Sequence, residues 1–264
     1  MSKLSTPDGA TLYYEVYEEY VPPTAPTLVL LHGVGGNHAS WYLQIAEWRT
    51  QFRLIIWDAR GFGNSTDPQS HGRDRFVEDL LTILDATDTK KCVLVGQSMG
   101  GGTALSLTCK HPDRVSALVL ADTLFGIEMA PHQQTRMQIL SQRNADLLQV
   151  ERVLGRTTIA DSPTQCALYT LIASFNSVNV RTLRGTQELN SPKSLAATGV
   201  PVLFIVGEED VLFPPSEVEI AARSVEGADF IRLPQSGHSA YFETPEIFNQ
   251  AVVSWLASKE IAGQ

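Results

Sequence analysis

The chain has 264 residues, 43% of them hydrophobic, enough for one large domain or for a core with an inserted subdomain. Its 20 Lys and Arg stand against 29 Asp and Glu, a formal net charge of -9 with no basic run, which argues against nucleic acid and anionic membrane surfaces as partners. No apolar run is long enough to span a bilayer, and residues 1–9 carry no apolar signal core, so the expectation is a cytoplasmic protein. Cys92, Cys109 and Cys166 are odd in number and widely spaced; they read as reduced, buried thiols, not as a disulfide framework or a metal site.

Asp8-Gly9 is a turn signal, and residues 11–18 after it (Thr-Leu-Tyr-Tyr-Glu-Val-Tyr-Glu) are aromatic-rich and partly alternating, which predicts a leading antiparallel pair. After Pro22-Pro23 come nearly continuous apolar runs at 28–31, 54–57, 92–95, 117–120 and 202–206, and a shorter one at 230–233. Runs of this length and continuity read as parallel strands buried on both faces. Helical patterns separate them. Phe76, Val77, Leu80, Leu81 and Leu84 share one face. Ser216 and Glu219 fit a capping box, continued by Ala221, Ala222 and Val225. Thr244-Pro245 opens a last helix whose buried face is Ile247, Phe248, Val252, Trp255 and Leu256. The alternation implies an open α/β sheet. It breaks after Leu124, where 136–153 and 165–175 are two candidate helices and Asn190-Ser191-Pro192 marks a loop. The expected organisation is a core of residues 1–123 and 191–264 with a helical cap, 124–190, inserted between the fourth and fifth runs.

The third run leads into Gly96-Gln97-Ser98-Met99-Gly100, a G-x-S-x-G stretch, and a helical pattern with Ala104, Leu105 and Leu107 follows. Strand, tight turn and helix are what a nucleophile elbow needs. The turn forces Ser98 into a strained conformation, and glycines on either side let strand and helix approach. Ser98 Oγ then stands at the top of the sheet, and the Met99 N–H points at whatever the serine attacks.

Other motifs fall at the ends of other runs: Leu30-Leu31-His32-Gly33-Val34-Gly35-Gly36-Asn37 after the first, Asp58-Ala59-Arg60-Gly61-Phe62-Gly63-Asn64-Ser65 after the second, Gly207-Glu208-Glu209-Asp210-Val211-Leu212-Phe213-Pro214 after the fifth, and Ser236-Gly237-His238 opening residues 236–245 after the sixth. Carboxyl ends of parallel strands are where such sheets bind ligands, so Ser98, Asp210 and His238 are expected to converge there. Asp122, after the fourth run, is the rival acid. His32 reads as a structural holder of its loop, and Asp58 with Arg60 as an ion pair bracing theirs.

Taken in order, H-G-x-G-G, D-x-R-G-x-G-x-S, G-x-S-M-G-G, G-x-x-D and S-G-H span essentially the whole chain, and the sequence resembles the α/β-hydrolase superfamily. The resemblance implies a mostly parallel eight-stranded sheet flanked by helices, with a lid. It implies Ser98 as nucleophile, His238 as base, Asp210 as acid, and the Val34 and Met99 N–H groups as an oxyanion hole. Serine at position 98 excludes the branches that need aspartate there. The segment 111–123 resembles enol-lactonases and small carboxylesterases. Carbon–carbon hydrolases of ring-cleavage products usually carry a tryptophan shortly after the histidine, where this chain has Ser239-Ala240-Tyr241-Phe242. The expected activity is hydrolysis of a small ester or lactone through an acyl-serine, a reaction that needs no cofactor. Carbon–carbon hydrolases, receptor-like proteins and cofactor-free lyases or oxygenases of the same fold stay open as alternatives. Phe125, Leu171 and Phe175 in the cap are candidate substrate contacts.

Overall fold

The computed structural model describes residues 1–261. Eight strands, β1 (Ser2–Ser5), β2 (Thr11–Tyr17), β3 (Thr27–Leu31), β4 (Arg53–Asp58), β5 (Cys92–Gln97), β6 (Val115–Ala121), β7 (Val202–Gly207) and β8 (Asp229–Leu233), form one sheet in the order β1-β2-β4-β3-β5-β6-β7-β8. β1 pairs antiparallel with β2 and β2 antiparallel with β4; every other pairing is parallel. All six apolar runs are strands, and the aromatic segment at the start is the inner strand of the antiparallel pair.

Alternation inside those runs divides the side chains between two cores. Val29, Ile55, Leu94, Leu118 and Phe204 pack on one face, and their neighbours Leu28, Leu54, Val93, Val119 and Leu203 on the other. Each face then needs a helical cover. The helices are α1 (Tyr42–Trp48), α2 (Phe76–Ala86), α3 (Met99–Lys110), α4 (Pro131–Arg143), α5 (Gln149–Val153), α6 (Arg156–Asp161), α7 (Pro163–Ser174), α8 (Pro192–Ala196), α9 (Pro215–Ser224), α10 (Ala240–Glu243) and α11 (Pro245–Ser258). α2, α3 and α9 cover the first face through Phe76, Leu80, Leu105 and Val218. α1 and α11 cover the second through Trp48, Phe248, Val252 and Leu256. No helix of the described residues is long and apolar enough to cross a membrane.

Helices α4 to α8 all lie between β6 and β7. The two ends of this insertion meet: Asn190 N–H donates to the Gly126 carbonyl at 2.7 Å and Glu128 N–H to the Asn190 carbonyl at 2.9 Å. The chain therefore leaves the sheet and returns at one place.

Several local expectations are corrected. Residues 136–153 are not one helix; α4 stops at Arg143, and Asn144 and Asp146, poor helix formers, fall in the break before α5. The six-residue α6 carries adjacent threonines, is too short to show a period, and has no counterpart in the sequence reading. The Ser216–Glu219 box is not used, because α9 starts at Pro215 with Pro214 as its cap and Ser216 falls inside the first turn. Thr244 does cap α11 with Pro245 in its first turn, but Ile247 is exposed. The three thiols are free, and only Cys92 is fully buried.

Asp58 and Arg60 do not pair. Asp58 accepts from the His38 N–H at 2.6 Å, from His38 Nδ1 at 2.9 Å and from the Asn64 N–H at 2.8 Å. Arg60 is forked onto Asp79, with Nε 2.5 Å from Oδ2, and reaches Asp8 through Nη1 at 2.6 Å. Arg60 and Asp79 are both about as buried as core leucines, at 2% exposure. Their partners lie 19 to 52 residues away in sequence, which local motif reading does not reach. Arg60→Met leaves the Asp79 carboxylate buried without its cation and is expected to destabilise the fold by about 3–5 kcal/mol. Urea unfolding of the parent and variant, followed by circular dichroism, measures it; a change below about 1 kcal/mol contradicts the assignment.

Candidate active site

The site is assembled at the carboxyl ends of four adjacent strands. β5, β6, β7 and β8 end next to Ser98, Asp122, Asp210 and the His238 loop respectively.

Ser98 sits at φ 50°, ψ -115°, a left-handed conformation that costs a non-glycine residue about 1–3 kcal/mol. Local bonds hold it there. Ser98 N–H donates to the Ala121 carbonyl at 2.9 Å, and the Thr123 hydroxyl donates to the Ser98 carbonyl at 2.8 Å. The flanking glycines are required by contact: a Cβ on Gly96 would stand 2.6 Å from the Gly100 carbonyl oxygen, and one on Gly100 2.3 Å from the Leu31 carbonyl oxygen. Strand β5, helix α3 and the loop after β3 are thus pressed together around the serine.

The result is a hydrogen-bonded chain of three side chains. His238 Nδ1 lies 2.9 Å from Asp210 Oδ2, and His238 Nε2 lies 2.9 Å from Ser98 Oγ. A carboxylate only accepts, so Nδ1 carries the proton and Nε2 is left to accept from the serine hydroxyl. All three residues are nearly inaccessible, with Ser98 6% exposed. Burial pulls the His238 pKa down, but the charge and hydrogen bond of Asp210, with Asp122 and Glu243 adding, carry it above its usual 6.5.

Counting acceptor positions separates the two candidate acids. Asp210 Oδ1 accepts the Leu212 and Phe213 N–H groups, at 2.7 and 2.9 Å, which leaves Oδ2 aimed at the imidazole. Asp122 spends both oxygens on backbone, accepting Gly207 N–H at 2.9 Å and Ala240 N–H at 3.1 Å. It joins the end of β7 to the start of α10 and touches neither ring nitrogen. Complete burial and the nearby Asp210 charge push its pKa well above the carboxylate range.

The loop after β3 lies against the serine: a Cβ on Gly33 would be 3.0 Å from Ser98 Cβ. His32 fixes that loop. Its Nε2 accepts the Ala59 N–H at 3.0 Å, so Nδ1 is protonated and donates to the Gly33 carbonyl at 2.8 Å; burial lowers its pKa, in keeping with a neutral ring. The Met99 N–H belongs to the first turn of α3, where a helix cannot satisfy its own donors. Val34 N–H donates to no protein acceptor among the described residues. Met99 follows the serine in the chain, and Val34 follows Gly33, which lies against it.

Of the three candidate substrate contacts, only Phe125 stands near this chemistry. Its ring packs edge-on against Phe213 at 5.2 Å, and Phe213 in turn lies 5.5 Å from the His238 ring. Leu171 and Phe175 are 61% and 73% exposed. Their helix buries Tyr169 and Ile172 instead, so the residues assigned to the inner surface lie on the outer one. An apolar helix without strong amphipathicity does not say which side faces in.

Sequence reasoning missed three supports. Gln97, an unspecified position of the serine motif, donates through Nε2 to the His238 carbonyl at 2.6 Å. Asn176 donates to the Gly36 carbonyl and accepts from Gly63 N–H and Asn37 Nδ2, all at 3.0–3.1 Å, so the insertion holds the loop after β3. Phe213 walls the histidine. Gln97 and Phe213 lie within motifs but at positions the motifs leave unspecified; Asn176 is joined to its partners by the fold alone.

A family model described as the alpha/beta hydrolase fold matches residues 26–245. The chain belongs to the α/β-hydrolase family. It is 25% identical over 242 residues to 3-oxoadipate enol-lactonase 1 of Acinetobacter baylyi, covering 90% of this chain and 91% of that one. It is 28% identical over 269 residues to "Putative carbamate hydrolase RutD" of Caulobacter sp. (strain K31), covering 96% and 98%. Among solved structures it superimposes on a thermophilic esterase from Thermogutta terrifontis with a TM-score of 0.81 and 26% identity, over 98% of this chain and 99% of that one. These three are a lactonase, a carbamate hydrolase and an esterase by name, while a 27% identical relative from Bacillus subtilis is named a synthase; the esterase and hydrolase relatives support a hydrolase of this fold.

Asp210→Asn removes the group that fixes the His238 tautomer and is expected to cost about four orders of magnitude in turnover, as in the serine-protease precedent. Asp122→Asn puts an amide NH₂ against a backbone N–H; it is expected to cost about 1–3 kcal/mol of stability and far less in turnover. Steady-state rates with p-nitrophenyl acetate, folding being checked by circular dichroism, compare the two; the reverse ranking would make Asp122 the acid.

Proposed function

We propose that the chain is a serine hydrolase of small carboxylic esters or lactones, working through an acyl-Ser98 intermediate. The observation that carries this reading is the 2.9 Å and 2.9 Å chain from Asp210 through His238 to Ser98, with the serine held at a strained turn.

A serine hydroxyl is a poor nucleophile at neutral pH and needs a base in hydrogen-bond reach. In this reading His238 Nε2 takes the Ser98 proton as Oγ bonds to the substrate carbonyl carbon. Negative charge gathers on the carbonyl oxygen and is met by the Val34 and Met99 N–H groups; one such donor is worth about 2.7–4 kcal/mol in related chemistry. The carbon–oxygen bond to the leaving group then breaks, and His238 returns the proton to that alkoxide. Water, deprotonated by the same nitrogen, attacks the acyl carbon; the Ser98–acyl bond then breaks, His238 returns the proton to Ser98 Oγ, and the acid is released. Asp210 steadies the imidazolium in both halves. The residues of the insertion near the serine act as a lid, and the low exposure of Ser98 favours small substrates. The enol-lactonase and esterase relatives support an oxygen ester over a carbon–carbon bond, as does the absence of tryptophan in 239–242.

Ser98→Ala is expected to abolish turnover of p-nitrophenyl acetate and butyrate, and labelling by a fluorophosphonate probe, while circular dichroism stays unchanged. A parent protein that is not labelled, or a variant that keeps most activity, overturns the reading. Steady-state turnover against a panel of esters, lactones and carbamates separates an enzyme from a receptor, which would stop after about one turnover.

Because His238 must be neutral to accept the proton, kcat/KM is expected to rise with pH through one ionisation centred above 6.5. Activity is present above that midpoint and lost as pH falls through it. Asp210→Asn should move the midpoint down, since the carboxylate charge that raises it is gone. A flat profile across about pH 5–8 would exclude a histidine base where chemistry limits the rate.

Phe125→Ala is expected to change the ratio of kcat/KM between acetate and bulky esters by about 10-fold. Phe175→Ala should leave that ratio unchanged. Equal shifts in both would move the substrate wall to the outer face of α7.

A further inference from the structure

Glu243 is 7% exposed and has no cationic partner among the described residues. Four donors surround it instead. Oε1 accepts the N–H groups of Gly237 at 2.9 Å and Ser239 at 3.2 Å, the residues on either side of His238. Oε2 accepts the Gly155 N–H and the Thr158 hydroxyl, both at 2.6 Å, from the start of α6 in the insertion. One oxygen thus grips the histidine loop and the other grips the insertion.

The two gripped segments also touch directly. A Cβ on Gly155 would stand 2.8 Å from the Gly237 nitrogen, and one on Gly237 would stand 2.3 Å from the Gly155 nitrogen. Backbone meets backbone there, and the Glu209 carboxylate closes over it, 2.6 Å from where a Gly155 Cβ would stand. The neighbouring acid loop is tied to the same place, since Glu209 accepts the Thr157 N–H at 2.8 Å and the Thr157 hydroxyl at 2.6 Å. The insertion is therefore bonded to Glu209, next to Asp210, and to Glu243, which holds the residues on either side of His238.

We infer that Glu243 is a positioning residue that makes seating of the insertion a condition for correct placement of the His238 base. The inference rests on the serine-hydrolase reading above and adds to it a coupling between lid and base. The physical reason is acceptor accounting. Four donors stabilise a buried carboxylate that has no cation. Burial pushes the Glu243 pKa up, and the donors from Thr158, Gly155, Gly237 and Ser239 oppose it. When the insertion lifts, two of the four leave. The carboxylate then rotates or takes up a proton, and either change loosens its hold on the N–H groups flanking His238. With the insertion seated, Nε2 is held on Ser98 Oγ; with it displaced, the base is released.

The test reads the rate of covalent inactivation of Ser98 by a fluorophosphonate, which needs the base but little of the substrate pocket. The first-order rate at saturating probe is separated from apparent probe affinity, and folding is checked by circular dichroism and thermal melting. Glu243→Gln offers one acceptor oxygen and an NH₂ group to four donors, and is expected to slow inactivation by about 100-fold. Thr158→Val removes only the hydroxyl on the insertion side and keeps the shape; it is expected to slow inactivation by about 10-fold with probe affinity little changed. Thr158→Ser keeps the hydroxyl and should restore the rate to within about twofold of the parent.

A Thr158→Val protein that reacts at the parent rate overturns the coupling. So does an equal loss in Thr158→Val and Thr158→Ser, which would mark a packing role for the methyl group. If Glu243→Gln fails to fold, the two Thr158 variants decide the matter alone. A parent that is never labelled strikes the serine-hydrolase reading itself, an outcome distinct from all of these.

Discussion

The strained turn at Ser98 is the constraint on which the rest of the site depends. A residue at φ 50° does not hold that conformation unaided. It is held by contacts with three other segments: the end of β6 through Ala121, the turn that leaves β6 through Thr123, and the end of β3 through the close approach of Gly100 to Leu31. The parallel sheet is what makes this possible. Parallel strands end on the same side, so four of them deliver their loops to one edge, and the loops brace one another instead of facing water.

That bracing is polar and closely accounted for. Gln97 reaches from beside the serine to the His238 carbonyl, Asp122 joins the end of β7 to the start of α10, and Glu243 joins the histidine loop to the insertion. In a low-dielectric setting an unpaired buried polar group costs more than a made bond gains, so each of these side chains restricts its partners to one arrangement. The histidine loop is therefore fixed from the sheet side by Gln97 and Asp122 and from the insertion side by Glu243. Its imidazole is free only at the edge that meets Ser98 Oγ.

The fold was legible because burial on both faces writes an unambiguous signal. Continuous runs such as residues 202–206 can satisfy themselves only inside a covered sheet, and all six runs are strands. The three side chains of the hydrogen-bonded chain were legible for a related reason: a strand end followed by a glycine turn has few geometries, and each lies beside such a turn. The insertion was not legible to the same depth. Its helices are short, α6 has six residues, and α7 is apolar without a marked stripe, so neither the break after Arg143 nor the outward direction of Leu171 and Phe175 follows from residue types. The partners of Arg60 and Asp58 were misread because adjacency in sequence was taken for adjacency in space.

The choice between Asp122 and Asp210 shows where sequence patterns stop and acceptor counting takes over. Both are aspartates at the ends of neighbouring strands, both are buried, and both act electrostatically on His238. Charge alone does not tell the two apart. Direction does: the turn after Asp210 offers two N–H groups to a single oxygen and leaves the other for Nδ1, whereas Asp122 meets one N–H with each oxygen and has none left to aim. The same logic bears on Asp122 as a second negative centre near the imidazole. When ionised, its charge adds to that of Asp210 in favouring the imidazolium, while burial and the Asp210 charge hold its own pKa well above the carboxylate range. An aspartate that never touches the histidine thus contributes to its basicity through the field it shares with one that does.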